Sequence, residues 1–270
     1  ITPELMRLLG YILSEGSLRV TSSSRSIIIG NEDPAILADI DHCVRAVFND
    51  DTTKIYKDVH KKIEKGRVIN GSVYVAFLND VLNIKSNAGE IDIPDFVMQA
   101  PPELKGHFVQ GLFDGDGHYG DSRISYCTSS KNLARKLVLL LRSIGVESSL
   151  LKQNAKGTTV VLNGEPAGTR NYDNYIVNIL DVSNLQSFLL QIPSYKDISR
   201  TAEYAFTVQG RKLDALDVMQ VNINNDYHNR VYDLETEEHW FMVNDYVVHN
   251  CLQIPLDDLL RDGFDNGHGF

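Results

Sequence analysis

A nine-residue pattern that occurs twice in this 270-residue chain constrains its fold more than any other feature. Residues 8–16 read LLGYILSEG and residues 109–117 read VQGLFDGDG, so that Glu15 aligns with Asp116 at an offset of 101. The apolar spacing predicts that each copy is a helix, and the final glycine predicts where it ends. Because repeated segments indicate repeated structural units, the chain is predicted to contain two similar halves, about 1–100 and 101–200.

The sequence after each copy of the pattern follows the same order of elements. Two short strands are predicted at 17–21 and 26–30 in the first half, and at 118–120 and 123–128 in the second. A capped amphipathic helix follows each pair, then a tyrosine-bearing strand at 73–78 or 175–180, and a short helix. The tract 154–172 is predicted to be a long hairpin or loop inserted in the second half. The order αββαββα, occurring twice, predicts an α+β fold with pseudo-two-fold symmetry.

Small residues at matching positions indicate where the two halves meet. Gly10 and Gly111 are equivalent, and a residue without a side chain lets two helix backbones approach closely. If the helices pack side by side, Glu15 and Asp116 come together at the same end. Adjacent carboxylates repel each other unless a cation or a proton lies between them. Oxygen ligands of this kind suit Mg²⁺, so the pair predicts a divalent-metal site.

The run Asp114-Gly115-Asp116-Gly117 also has the composition of a calcium-binding loop. An EF-hand loop requires a bidentate Glu at its twelfth position. Counted from Asp114, that position is Ser125, which excludes this type of calcium-binding protein.

The charge of the chain is the main objection to a nucleic-acid partner. The chain has 26 basic and 36 acidic residues, a formal net charge of −10, whereas duplex binding depends on Lys and Arg. The acidity is uneven: residues 1–200 contain 22 basic and 23 acidic residues, and residues 201–270 contain 4 and 13. A DNA-binding surface within the first 200 residues therefore requires that Lys and Arg be segregated onto one face.

The remaining composition is that of an ordinary globular protein, with 43% hydrophobic and 23% charged residues. Cys43, Cys127 and Cys251 are far apart and odd in number, which argues against a disulfide framework or a CxxC zinc site. No apolar run approaches the ~18–20 residues needed to span a bilayer. A cytoplasmic protein without a membrane partner is therefore expected.

The two patterns resemble the motif helices of the LAGLIDADG homing endonucleases, and the resemblance spans about residues 1–200. Residues 111–117 (GLFDGDG) match the motif closely, and residues 9–16 (LGYILSEG) match the form common in inteins. The resemblance implies that Glu15 and Asp116 bind divalent metal, here Mg²⁺. It also implies that the protein cuts double-stranded DNA in an intein-free copy of the host gene.

In this family, the strands beside the motif helices enter the major groove, where each base pair presents a distinct pattern of donors and acceptors. The alternative is that the same residues are ordinary solvent-facing strand residues. The groove-facing candidates are Arg19, Thr21, Ser23, Arg25, His118, Tyr119, Arg123 and Ser125.

The sequence departs from the family at one position. Inteins of this type usually carry a Lys just before the Ile-Pro that precedes the second motif, and Asp92 stands there in this chain. Lys85 in the first half and Lys196 in the second are alternative basic groups near the metals, or plain surface lysines. The departure places cleavage activity, though not the fold, in question.

Residues 230–251 carry a second resemblance, to the carboxyl-terminal splicing blocks of inteins. The segment 230–236 reads RVYDLET, His239 precedes an aromatic residue, and His249-Asn250-Cys251 closes the block. The resemblance implies that Cys251 accepts an acyl group and that Asn250 cyclises to break the peptide bond before Cys251. His249 would then polarise that carbonyl, and His239 would move protons nearby. These residues predict strands of a Hint-type splicing domain at 201–250.

The amino-terminal splicing block of an intein, which begins with Cys or Ser, is not found in this sequence. We therefore expect the chain to be the carboxyl-terminal part of a larger precursor, with the amino-terminal splicing region as its partner. Residues 251–270 would then be host protein. They are similar to a short stretch of anaerobic ribonucleoside-triphosphate reductases.

Two functions remain open from sequence. The first is an intein fragment that combines a metal-dependent, site-specific DNA endonuclease with the Asn-cyclisation half of the splicing site. The second is a cleavage-inactive DNA-binding domain of the same fold, retained within a splicing element.

Overall fold

The computed structural model describes residues 1–20, 25–49, 53–57, 64–82, 84, 87–162, 165–207, 240–243 and 246–249. The chain divides into two compact units, residues 1–214 and residues 215–270. Among the described residues, no helix is long and apolar enough to cross a membrane.

The first half of the larger unit has three helices and a four-stranded antiparallel sheet. Thr2 caps the first helix by accepting a hydrogen bond from Leu5 N at 3.3 Å. The sheet has the strand order β1-β2-β4-β3. The elements are α1 (Pro3–Glu15), β1 (Gly16–Val20), β2 (Arg25–Gly30), α2 (Pro34–Phe48), β3 (Lys54–Lys57), β4 (Glu64–Asn70) and α3 (Ser72–Ala76), with a π-helical turn at Phe77–Val81.

The second half repeats this order and adds a hairpin. Its four-stranded antiparallel sheet has the order β5-β6-β10-β7, and the additional strands β8 and β9 pair with each other. The hairpin lies in the tract 154–172 where the sequence predicts an insertion. The elements are α4 (Asp95–Met98), α5 (Pro102–Asp116), β5 (Gly117–Gly120), β6 (Arg123–Thr128), α6 (Lys131–Ser143), β7 (Ser149–Gln153), β8 (Thr159–Leu162), β9 (Glu165–Thr169), β10 (Asn174–Ile179), α7 (Val182–Gln191) and α8 (Ser199–Thr207).

The predicted strand at 73–78 is wrong, because this segment is helical. The position beside β2 that it would have filled is taken by β4, whose Ile69 pairs with Ile27. Val75 and Leu78, three residues apart, are the buried members of the segment, which is the spacing of a helix face. The corresponding strand of the second half, predicted at 175–180, is confirmed as β10.

One continuous apolar core lies between the helices and the inner faces of both sheets. It includes Leu9 and Tyr11 of α1, Phe108 and Phe113 of α5, and Ile27 of β2, each fully buried. The two halves therefore form one folding unit in which α1 and α5 are central.

The smaller unit is described only at one antiparallel hairpin. Its strands are β11 (Trp240–Val243) and β12 (Tyr246–His249), with Trp240 opposite His249. The Hint-type strands predicted farther upstream lie outside the described residues.

Candidate active site

The helices α1 and α5 contact each other backbone to backbone through glycines. A Cβ atom placed on Gly10 would lie 2.5 Å from Leu112 N, and one placed on Gly111 would collide with the Arg7 carbonyl oxygen. Farther along, a Cβ atom on Gly115 would collide with the Ser14 side chain. Both helices end at an acid, so the close packing sets the separation of the two acids.

Glu15 and Asp116 are the last residues of these two helices, and the charge of Lys196 acts on both carboxylates. Burial, and then the charge of Asp116, raise the pKa of Glu15 from 4.5 to about 7. Burial also raises the pKa of Asp116, whereas the Lys196 ammonium opposes that rise. The pair is thus a site where negative charge is costly without a nearby cation.

Lys196 supplies one positive charge beside this pair. Its Nζ donates hydrogen bonds to the carbonyl oxygens of Gly115 at 2.6 Å and Gly117 at 2.7 Å. These carbonyls are at the carboxyl end of α5, where the helix dipole favours a cation. Burial lowers the pKa of Lys196, while the charges of Asp114, Asp116 and Glu15 act in the opposite direction.

Asp114, two residues before the end of α5, is fully buried. Its Oδ1 accepts hydrogen bonds from Ser194 Oγ at 2.5 Å and from Tyr195 N at 3.1 Å. Burial raises the pKa of Asp114 to about 6, against the lowering effect of these two donors. Sequence reasoning missed this residue because it treated Asp114 only as part of the motif.

The donor set of Glu15 and Asp116 fits a hard divalent cation. Neither carboxylate accepts a hydrogen bond from a described residue, so both have oxygen lone pairs available. Within the described part of the chain, no group of three or more His, Cys, Asp or Glu side chains could hold a metal. Two carboxylates suit Mg²⁺, which keeps several waters and is completed by phosphate oxygens of a substrate.

The outward face of the first sheet carries basic and neutral side chains. Arg19 pairs with Ser26 and is exposed, and Lys54 pairs with Val68 on the same face. The buried Ile27 and Ile29 point to the opposite, inner face, because side chains alternate along a strand. Sequence reasoning missed Lys54 because the strand β3 was not predicted.

The outward face of the second sheet has the same character. His118 and Ser125 lie opposite each other in the register of β5 and β6, and Arg123 lies two residues before Ser125. Ile124 and Tyr126, which alternate with them, are buried. Among the outward side chains that the structure describes on both sheets, none is acidic. The described outward faces therefore carry no opposing negative charge, although Arg25, Arg67 and Lys152 lie on the inner faces of the sheets.

Two groove-facing candidates lie on the other side of their sheets. Arg25 shares its face with Ile27, and it lines a shallow cavity with Leu18 and Val75. The Tyr119 ring packs edge-on against Phe188 at 6.4 Å, and its buried hydroxyl has no described hydrogen-bond partner. Alternation places both residues away from the outward face, so we do not include them in the proposed DNA contacts.

Asp92, which stands where the sequence resemblance predicts a lysine, faces α6. The Lys136 Nζ lies 3.0 Å from Asp92 Oδ2 and 2.9 Å from Asp95 Oδ1, and donates to the Ile93 carbonyl at 2.8 Å. These contacts join the segment before α5 to the second half. Asp92 thus has a structural role that accounts for an acid at this position.

Several other candidates cannot be placed. Thr21, Ser23, Lys85, His239, Asn250 and Cys251 lie outside the described residues. His249 is the last residue of β12.

Comparison with known proteins adds a family match for the second half. Residues 103–193 match the family model described as a LAGLIDADG-like domain. The match begins in α5 and extends through α7, so the expectation of this domain is confirmed there. The first half has the same order of elements from α1 to α3 as the second half has from α5 to α7, without the β8–β9 hairpin.

Three curated relatives share parts of the sequence. An uncharacterized protein of Methanocaldococcus jannaschii is 25% identical, over 99% of this chain and 30% of that protein. A DNA polymerase of Thermococcus kodakarensis is 31% identical, over 61% of this chain and 10% of the polymerase. The glutamine–fructose-6-phosphate aminotransferase of Methanocaldococcus jannaschii is 24% identical, over 57% of this chain and 14% of that enzyme. The chain thus spans less than a third of the length of each of these relatives.

Among solved structures, the homing endonuclease I-DmoI in complex with DNA and Mn is similar to this chain. It has 13% sequence identity and a TM-score of 0.48, over 73% of this chain and 97% of I-DmoI.

Proposed function

We propose that this chain is the carboxyl-terminal part of an intein whose embedded LAGLIDADG domain cuts double-stranded DNA at a specific site. One observation carries the endonuclease proposal. The carboxylates of Glu15 and Asp116 and the Lys196 ammonium group converge where two glycine-packed helices end, between two sheets with outward basic residues. Cleavage of a phosphodiester needs positive charge close to the scissile phosphate and a surface that holds the duplex beside it.

The residues of the chain would act as follows. Glu15 and Asp116 would hold a divalent cation, which when bound supplies an activated water and stabilises the leaving oxygen. Lys196, beside both acids, would offset charge that develops on the phosphate. Arg19, Lys54 and Arg123 would contact backbone phosphates, and His118 and Ser125 would reach base edges.

The intein part of the proposal is supported by where the relatives match. A DNA polymerase and an aminotransferase have unrelated activities, yet each matches this chain over a small fraction of its own length. A segment inserted into different host proteins accounts for such a distribution. His239, His249, Asn250 and Cys251 would perform the carboxyl-terminal splicing steps. The similarity of residues 251–270 to a ribonucleotide reductase stays a prediction.

A plasmid assay tests the endonuclease directly. The substrate is a plasmid that carries the precursor's coding sequence with the intein segment deleted. We expect linear product with Mg²⁺ and none with EDTA. Glu15→Gln and Asp116→Asn should each slow cleavage at least about 10³-fold. Asp121→Asn, an exposed acid in the turn after β5, is the matched control and should cleave at a rate close to that of the unchanged protein.

The second candidate function is a DNA-binding domain that does not cleave. The observation that favours it is Asp92, which is paired with Lys136 and provides no basic group near the carboxylates. Specific binding of the same plasmid without any cleavage in Mg²⁺ or Mn²⁺ would support this second function and contradict the first.

A further inference from the structure

The buried carboxylate of Asp114 is not a member of the metal-binding pair, and its energetic cost calls for an explanation. Asp114 is fully buried, and its Oδ2 has no hydrogen-bond partner among the described groups. A buried carboxylate with an unpaired oxygen is expensive, and an apolar residue at such a position is often at least as stabilising.

The first half of the molecule shows the apolar solution at the same position. With the offset of 101, Asp114 corresponds to Leu13, which is 2% exposed on α1. The two helices thus differ at this position, although Glu15 and Asp116 match. Folding of a motif helix does not require a carboxylate there.

The contacts of Asp114 lead directly to Lys196. Asp114 Oδ1 accepts from Ser194 Oγ and from Tyr195 N, and Ser194 Oγ in turn accepts from Lys196 N at 3.1 Å. From this fixed backbone, the Lys196 side chain reaches the Gly115 and Gly117 carbonyl oxygens. Helix α5 therefore contacts the segment 194–196 twice. The Asp114 side chain binds Ser194 and the backbone of Tyr195, and the carboxyl end of the helix accepts hydrogen bonds from the Lys196 ammonium group.

We propose that Asp114 is a positioning residue, which fixes the segment 194–196 so that the Lys196 ammonium stays beside Glu15 and Asp116. This inference rests on the proposed endonuclease function and extends it from the two acids to the group that orients the basic residue. Asp114 itself touches neither the metal site nor DNA. Its loss would affect the rate of cleavage and leave the affinity for DNA unchanged.

Three variants test this role. Asp114→Leu installs the residue of the first half, Asp114→Asn keeps an acceptor oxygen for Ser194 and Tyr195, and Ser194→Ala removes the middle of the chain of contacts. We expect Asp114→Leu to slow single-turnover cleavage at saturating DNA at least tenfold, with less than a twofold change in DNA affinity. Asp114→Asn should stay within about threefold of the unchanged protein, and Ser194→Ala should lie between the two.

A double-mutant cycle separates positioning from general stability. Lys196→Met alone should slow cleavage, and adding Asp114→Leu to it should cause no further loss, because the two residues act through one group. Multiplicative losses would overturn the proposal. Equal cleavage by Asp114→Leu and the unchanged protein would also overturn it, while leaving the endonuclease function intact.

Hydrogen exchange gives a readout that does not depend on cleavage. The Tyr195 amide donates a hydrogen bond to Asp114, and the Lys196 amide donates one to Ser194. Asp114→Leu should therefore increase amide exchange in a peptide covering 192–198, while exchange in α1 and α2 stays unchanged. Unchanged exchange in 192–198 would overturn the proposal. If the unchanged protein cuts no DNA while this exchange effect is present, the endonuclease function fails and the structural link between Asp114 and Lys196 stands.

Discussion

At the scale of single residues, the site concentrates acids whose charged forms are disfavoured. Glu15, Asp114 and Asp116 all have a raised pKa, and for each of them burial is the largest cause. The Lys196 charge opposes the rise in pKa at each of the three acids without reversing it. The site therefore favours a bound cation at neutral pH over the isolated carboxylates.

Metal-free protein should lose stability as the pH rises from about 4.5 to about 7. Over this range Glu15 still holds its proton in the folded state, whereas an unfolded Glu releases it, so raising the pH favours unfolding. The contribution of Glu15 is below about 3 kcal/mol, because solvent screens the charge of a half-buried carboxylate. Urea unfolding at several pH values in EDTA measures it.

Glu15→Gln should reduce this pH dependence, and Asp114 and Asp116, whose pKa values are also raised, should keep part of it. The matched control is Glu103→Gln, in the first turn of α5, which should leave the slope unchanged. If the free energy of unfolding changes with pH equally in Glu15→Gln and the unchanged protein, the raised pKa assigned to Glu15 is contradicted. Added Mg²⁺ should restore stability at pH 7 and above in the unchanged protein.

At the scale of elements, the packing of α1 on α5 depends on glycines at which any side chain would collide with the facing helix. Gly10 and Gly111 lie where a Cβ atom would meet backbone atoms of the facing helix. Backbone cannot move aside as a flexible side chain can, so the two helices would have to separate. Because Glu15 and Asp116 end these helices, the distance between the two carboxylates would change as well.

Gly111→Ala should destabilise the protein by about 3 kcal/mol, because the new methyl group overlaps the Arg7 carbonyl region. Gly106→Ala on the same helix is the control. A Cβ atom there would meet only ordinary contacts at 3.5 Å and 3.7 Å, so helix propensity should make this variant more stable by up to about 1 kcal/mol. Urea unfolding compares the two, and equal stability of both variants would contradict the packing.

Strand alternation gives a second test at this scale. Arg19→Ala should weaken DNA binding and reduce the slope of log affinity against log salt by about 0.9, the value for one lost phosphate contact. Arg25→Ala is the control, because Arg25 points to the inner side of the same sheet. DNA affinity is measured by fluorescence anisotropy over a salt series. Equal losses of DNA affinity in Arg19→Ala and Arg25→Ala would contradict the assignment of the outward face.

At the scale of the whole molecule, the two compact units carry separate proposed chemistry. Glu15, Asp116 and Lys196 lie in residues 1–214, and His249, Asn250 and Cys251 lie in residues 215–270. Most of the excess negative charge of the chain is in residues 201–270. The net charge of −10 therefore says little about the surface proposed to hold DNA.

The two activities should be separable by substitution. When the chain is mixed with a matching amino-terminal splicing fragment, Asn250→Ala should block release of residues 251–270, because no side-chain amide remains to cyclise. The same variant should cleave DNA normally, and Glu15→Gln should release the peptide normally. Release of the peptide by Asn250→Ala, seen by mass spectrometry, would contradict the assigned role of Asn250.

Sequence patterns predicted most of the larger unit, for local reasons. The glycines that end the motif helices and the strand patterns of β6 and β10 depend on residues within a few positions of each other. The repeat at an offset of 101 then predicted two halves. The segment 73–78 was predicted wrongly because its apolar residues fit a strand and a short helix equally well, and only the presence of β4 in the sheet excluded the strand.

By itself, therefore, the sequence determined the two halves, the motif helices with the two strands and the helix that follow each of them, and the two acids that end the motif helices. Tertiary structure alone decided which face of each sheet Arg25 and Tyr119 occupy, since alternation fixes relative sides and packing fixes which side is buried. It also decided that Asp114 meets Ser194 and that Lys196 meets the end of α5, because these contacts join residues about eighty positions apart. No local pattern encodes such a contact; it follows from how α5 and the chain after α7 pack.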